Sequence, residues 1–71
     1  MKKISVSLSG HQTSISLEEE FISALHQIAT HDNLSVASII QAIDDTRSPE
    51  SNLSSAVRSY ILRRYMKESK L

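Results

Sequence analysis

The stretch Gly10-His11-Gln12-Thr13-Ser14-Ile15-Ser16-Leu17-Glu18 constrains this chain more than any other. It alternates in polarity and runs straight into an amphipathic helix pattern. Alternation sends Gln12, Ser14 and Ser16 to one face of a strand and Thr13, Ile15 and Leu17 to the other. A lone strand with one polar and one apolar face needs a partner strand. In a chain of 71 residues a second copy can supply it. Two such strands side by side form a polar ribbon of the right width for a DNA major groove. The pattern points to a dimeric binding module and away from an enzyme.

Upstream, Ile4-Ser5-Val6-Ser7-Leu8 also alternates and predicts a strand over about 4–8. Ser9-Gly10 predicts a turn, and residues 12–17 a second strand. The two strands form either a local hairpin or one bent arm. A first helix is expected over about 18–31, because Phe21, Leu25, Ile28 and Ala29 recur at helical spacing, with Ile22 widening the stripe. Glu18, Glu19 and Glu20 suit the positive end of that helix, and Ser16-x-x-Glu19 fits a capping box. Asn33 suits a left-handed position at its end. A second helix over about 35–46 opens at Ser35, an N-cap residue, and carries Val36, Ile39, Ile40 and Ile43 on one face. Pro49 marks a loop. A third helix over about 53–67 opens after Asn52, with Leu53, Ala56, Val57, Tyr60 and Ile61 as its stripe, and residues 68–71 are expected to fray.

A single domain over residues 1–71 is expected. A chain this short is marginal alone, and without cysteine it has neither a disulfide nor a thiolate metal site. Oligomerisation is the remaining common way to enlarge the core. No apolar run is long enough for a membrane span, no signal-peptide pattern opens the chain, and a cytoplasmic location is expected. Net charge is zero but unevenly placed. Lys2 and Lys3 open the chain. Residues 18–52 carry Glu18, Glu19, Glu20, Asp32, Asp44, Asp45 and Glu50 against Arg47 alone. Residues 53–71 carry Arg58, Arg63, Arg64, Lys67 and Lys70 against Glu68. A nucleic-acid binder usually has a basic surplus, since phosphate neutralisation supplies most non-specific affinity. Here that requires both basic ends to share a face.

The order of strand, helix, tight turn and helix over residues 12–46 resembles the ribbon-helix-helix family of DNA-binding dimers. The likeness is sharper to a variant with an extra N-terminal strand and a third helix. It rests on Gly10-His11, Thr13-Ser14, Ser16-Leu17-Glu18, Phe21, Leu25, Ile28-Ala29, Leu34-Ser35, Ile43-Asp44, Arg47 and the run Asn52-Leu53-Ser54-Ser55-Ala56-Val57-Arg58. The resemblance implies a mainly α fold with a short β-ribbon: an intertwined homodimer in which the strand pairs antiparallel with its twin. The groove-facing side chains would be Gln12, Ser14 and Ser16. The start of the second helix, at Ser35 and Val36, would meet a phosphate through free backbone amides. Gln12 stands where the variant usually has an arginine. Glutamine still pairs with adenine in the major groove.

Each candidate has a plainer reading. Gln12, Ser14 and Ser16 can be a solvated face, with Ser16 capping the first helix. Ser35 can be only a cap, and Lys2 and Lys3 either phosphate contacts or a loose basic start. Arg58 can bind an anion or pair with an acid such as Asp44. Arg63, Arg64, Lys67 and Lys70 read as a solvated helix end. His11, His26 and His31 lack the spacing of zinc ligands, and the consecutive Glu18, Glu19 and Glu20 fan around a helix. No catalytic motif, cofactor or metal site is expected. The expected function is sequence-specific binding of double-stranded DNA by a small dimeric transcriptional regulator. The alternative is a protein-interaction or dimerisation module of the same fold that does not bind DNA. An antitoxin-like role is a third reading. Which strand residues 4–8 pair with decides between the first two. Beside residues 12–17 they would widen a dimer's ribbon to four strands, more than a groove admits.

Overall fold

The computed structural model describes residues 1–69. Two strands open the chain, β1 (Lys2–Leu8) and β2 (His11–Leu17), and they pair antiparallel within it. The register runs without a bulge from Leu8↔His11 through Val6↔Thr13 and Ile4↔Ile15 to Lys2↔Leu17. Ser9 and Gly10 turn the chain with positive φ at both positions, 51° and 81°. That is the signature of a type I′ turn, whose twist matches the strands it joins. Glycine accepts this backbone freely, and a serine does not. Ser9 is held there by Gln41, whose Oε1 accepts the Ser9 N–H at 2.7 Å and whose Nε2 donates to the Ser9 Oγ at 3.3 Å.

Three helices follow: α1 (Glu19–Asp32), α2 (Val36–Thr46) and α3 (Leu53–Ser69). The capping box at Ser16 does not form. Glu18 is the residue before α1, without a side-chain cap, and its carbonyl accepts from Phe21 and Ile22. Ser16 is instead paired with Lys3 in the hairpin, which commits its backbone to the strand. Asn33 ends α1 in the left-handed region, its N–H reaching back to Ala29 and Thr30. The Ser35 Oγ accepts the Ser38 N–H at 3.0 Å and starts α2. The Asn52 side chain does the same for Ser55 at the start of α3. That helix runs to Ser69, past the expected fraying point. The expectations for Lys70 and Leu71 lie outside the described residues.

The apolar face of the hairpin lies on the helices, β1 over α2 and β2 over α3. Val6, Leu8, Ile15 and Leu17 meet Leu25, Ile28 and Ala29 of α1, Ile39, Ile40 and Ile43 of α2, and Val57 and Ile61 of α3. Leu17, Leu25, Ile40 and Val57 are fully enclosed. Burying such a side chain stabilises by about 1.5–3 kcal/mol each. A single copy therefore covers its own isoleucine face, because α3 closes the side that two helices alone would leave open.

Side-chain ion pairs tie the helices together. Arg64 donates to both oxygens of Asp32 at 2.8 and 2.6 Å, joining α3 to the end of α1. Arg64 is thus a structural clamp and not part of a solvated helix end. Arg58 meets Glu18 at 2.8 Å and not Asp44. Asp44 is taken by Arg47, also at 2.8 Å, one turn along its own chain.

Candidate nucleic-acid interface

The hairpin has one polar face, and it points away from the helices. Alternation and the register put Lys3, Ser5 and Ser7 of β1 beside Ser16, Ser14 and Gln12 of β2 on that face. Ser16 is half-buried and the other five are exposed. Among the described residues, none of these six side chains makes a hydrogen bond or an ion pair. The structure brings Gln12, Ser14 and Ser16 together on one surface, as strand parity requires. It adds Ser5 and Ser7, which the sequence reading left out. Their place follows from a two-residue turn: once its length is known, every cross-strand neighbour is determined.

The two N-terminal lysines separate. Lys3 is on the polar face. Lys2 is on the other side and pairs with Glu19 at 3.2 Å, both side chains about 70% exposed (67% and 70%). The start of α2 lies beside the hairpin, and a shallow groove lined by Ser7, Ala37, Ser38 and Gln41 runs between them. With the Ser38 amide held by Ser35, the amides of Val36 and Ala37 have no intrahelical acceptor.

Arg58 sits under the far end of β2, on the helical side. Its guanidinium holds Glu18, lies 6.0 Å from the centre of the Phe21 ring, and reaches the Ser16 carbonyl at 3.5 Å. The hydrogen bond from Arg58 holds the Glu18 carboxyl below the ordinary glutamate range. The geometry thus gives Arg58 the ion-pair half of its expected role, with an acid 40 positions away.

Among the described residues no three His, Asp or Glu side chains gather as a metal site needs. No described helix is long and apolar enough to cross a membrane.

Compared with known families, residues 1–65 match the ribbon-helix-helix domain. The chain belongs to the ribbon-helix-helix family. No curated protein and no solved structure matches it. In this ribbon-helix-helix chain the matched residues take in both strands of the hairpin, α1, α2 and most of α3.

Proposed function

We propose that this chain acts as a homodimer that binds double-stranded DNA through the polar face of its hairpin, as a small transcriptional regulator in the cytoplasm. The observation that supports it best is the idleness of that face. Six hydrogen-bonding side chains lie side by side, and none of them has a partner among the described residues. Ribbon-helix-helix domains as a family are typically DNA-binding regulators.

Pairing of β2 with its twin gives a four-stranded sheet. At about 4.8 Å per strand its outer strands are about 14 Å apart, against a major groove about 12 Å wide. A sheet of that width does not fit the groove whole, so in this reading only its central pair enters, and Gln12, Ser14 and Ser16 read base edges. The β1 strands ride over the walls, where Lys3, Ser5 and Ser7 meet phosphates. The Val36 and Ala37 amides extend the phosphate contact.

The second reading, a protein-interaction module, is favoured by two observations. β1 pairs with β2 of its own chain, so a dimer's sheet would be four strands wide, where a groove admits two. Lys2, Arg47, Arg58 and Arg64 are already paired with carboxylates, which leaves Lys3 as the one cation on the polar face among the described residues. Titration of duplex DNA across a salt series separates the two. A dimer with two free Lys3 side chains should bind at low salt with a shallow log–log slope of about −2. Absence of binding at low salt would favour the protein partner.

A further inference from the structure

The loop that joins α2 to α3 walls a pocket of about 280 Å³. Its lining comes from the end of α2, the loop and α3, with no residue of the hairpin. The loop wall is set by the chain's own bonds. Arg47 is held by the Asp44 carboxylate and donates to the Ser51 carbonyl. The Ser48 hydroxyl donates to Glu50, the Ser51 hydroxyl to the Ser48 carbonyl at 2.9 Å, and the Thr46 hydroxyl to the Ala42 carbonyl at 3.1 Å. These polar groups are spent. Ile43, Ala56 and Tyr60, all part of the core or packed on it, supply an apolar floor.

Two polar side chains of the lining are left over, and both belong to α3. Ser59 and Arg63 have no hydrogen-bond or ionic partner among the described residues, and no acid lines the pocket. Arg47, Arg58 and Arg64 each hold a carboxylate. Arg63 is the one arginine without a carboxylate among the described residues. Four residues apart on a helix, Ser59 and Arg63 share a face, and a long helical side chain leans back toward the N-terminus, which carries Arg63 over Ser59. A guanidinium and a hydroxyl beside an apolar floor suit a ligand with a carboxylate at one end and a hydrocarbon body at the other. One uncompensated positive charge matches a monoanion. A phosphate ester would bring nearly two negative charges and more acceptor oxygens than these donors satisfy. The volume holds roughly nine waters, which fits a single ring with its carboxylate.

We propose that this pocket binds a compact organic monocarboxylate, its carboxylate on Arg63 and Ser59 and its body on Ile43, Ala56 and Tyr60. The site depends neither on dimerisation nor on what the polar face of the hairpin binds.

Benzoate is the probe, with benzamide, its neutral counterpart, and inorganic phosphate beside it, all titrated into the full chain at one ionic strength. Benzoate should saturate one site per chain, read by amide chemical shifts that gather at Thr46, Ser51, Ala56, Ser59 and Arg63. Benzamide and phosphate should each bind at least about tenfold more weakly. Arg63→Gln should weaken benzoate about tenfold or more. Lys67→Gln removes the same charge one turn further along α3 and should change benzoate affinity less than about twofold. Both variants should keep the urea midpoint, because Arg63 pairs with nothing in the described fold. Phosphate binding as tightly as benzoate would make this an unspecific anion patch and overturn the ligand class. Equal weakening in the two variants, or shifts spread beyond the pocket, would overturn the site. So would a benzoate titration that never saturates.

Discussion

The two sides of the hairpin are built from the same short strands and treat their polar groups in opposite ways. On the helical side, charged groups at the margin of the core have partners: Lys2 with Glu19, Arg58 with Glu18, Arg64 with Asp32. On the outer side, Lys3, Ser5, Ser7, Gln12, Ser14 and Ser16 have none among the described residues. On the proposed function, stability and recognition are therefore carried by different faces of one element. A substitution on one face should barely register in the measurement that reads the other.

The largest effect should come from the enclosed side. Leu25→Ala empties a fully buried position and should cost about 2–5 kcal/mol, read as a lower urea midpoint. In a chain this short that is a large share of the total, and the variant should lose its cooperative transition at 37 °C. Replacing Ser5 and Ser14 together with alanine should shift the midpoint by less than about 0.5 kcal/mol. Equal losses from the two proteins would break the contrast.

Next comes Gln12→Ala, on the outer side. A glutamine bidentate to adenine contributes about 1–3 kcal/mol of discrimination. Its removal should weaken binding to the preferred site about tenfold, leave non-preferred DNA nearly unaffected, and leave the unfolding curve in place. Uniform weakening across sequences would make Gln12 a backbone contact.

Parts of this arrangement were legible in the sequence because they are local. Ser9-Gly10 marks the turn, Asn33 the left-handed end of α1, and Ser35 the start of α2. Each works through its own φ or its own hydroxyl. The polar triplet of β2 was legible because parity alone assigns it. Ser16 misled because two local rules compete for it, a capping box and a strand, and only the cross-strand ladder decides. Arg58 and Arg64 were not legible: their carboxylates are 40 and 32 residues away, and no spacing rule reaches across a tertiary contact. The split between Lys2 and Lys3 follows from the two-residue turn, which fixes the register back along β1.

The clamp at the end of α1 sharpens the comparison through pH. The hydrogen bonds from Arg64, then that from His31, hold the Asp32 carboxyl far below its ordinary range. A carboxyl whose pKa is lower folded than unfolded stabilises at pH above its unfolded value, near about 4, and loses that contribution as pH falls toward the folded value. The urea midpoint should decline as pH drops from 5 toward 2. Asp32→Asn should start lower at pH 7 and decline less steeply. DNA affinity at pH 7 should be the same for both proteins, because the clamp is on the helical side. An unchanged pH profile in Asp32→Asn would remove the clamp from the account of stability.

The smallest pair of effects is the most direct comparison, because it uses adjacent residues on opposite faces. Lys2→Ala breaks an exposed ion pair with Glu19, a contact worth about 0–1 kcal/mol, and should leave the salt dependence of DNA binding unchanged. Lys3→Ala breaks nothing in the fold and should leave the urea midpoint where it was. Each dimer then loses two phosphate contacts, so the log–log salt slope should fall by about 2 and approach zero. If the two alanine variants shift the slope equally, the hairpin does not present one face to DNA. Lys2 would then have to leave Glu19 to reach a phosphate, and the division between a stabilising side and a reading side would fail at its first two residues.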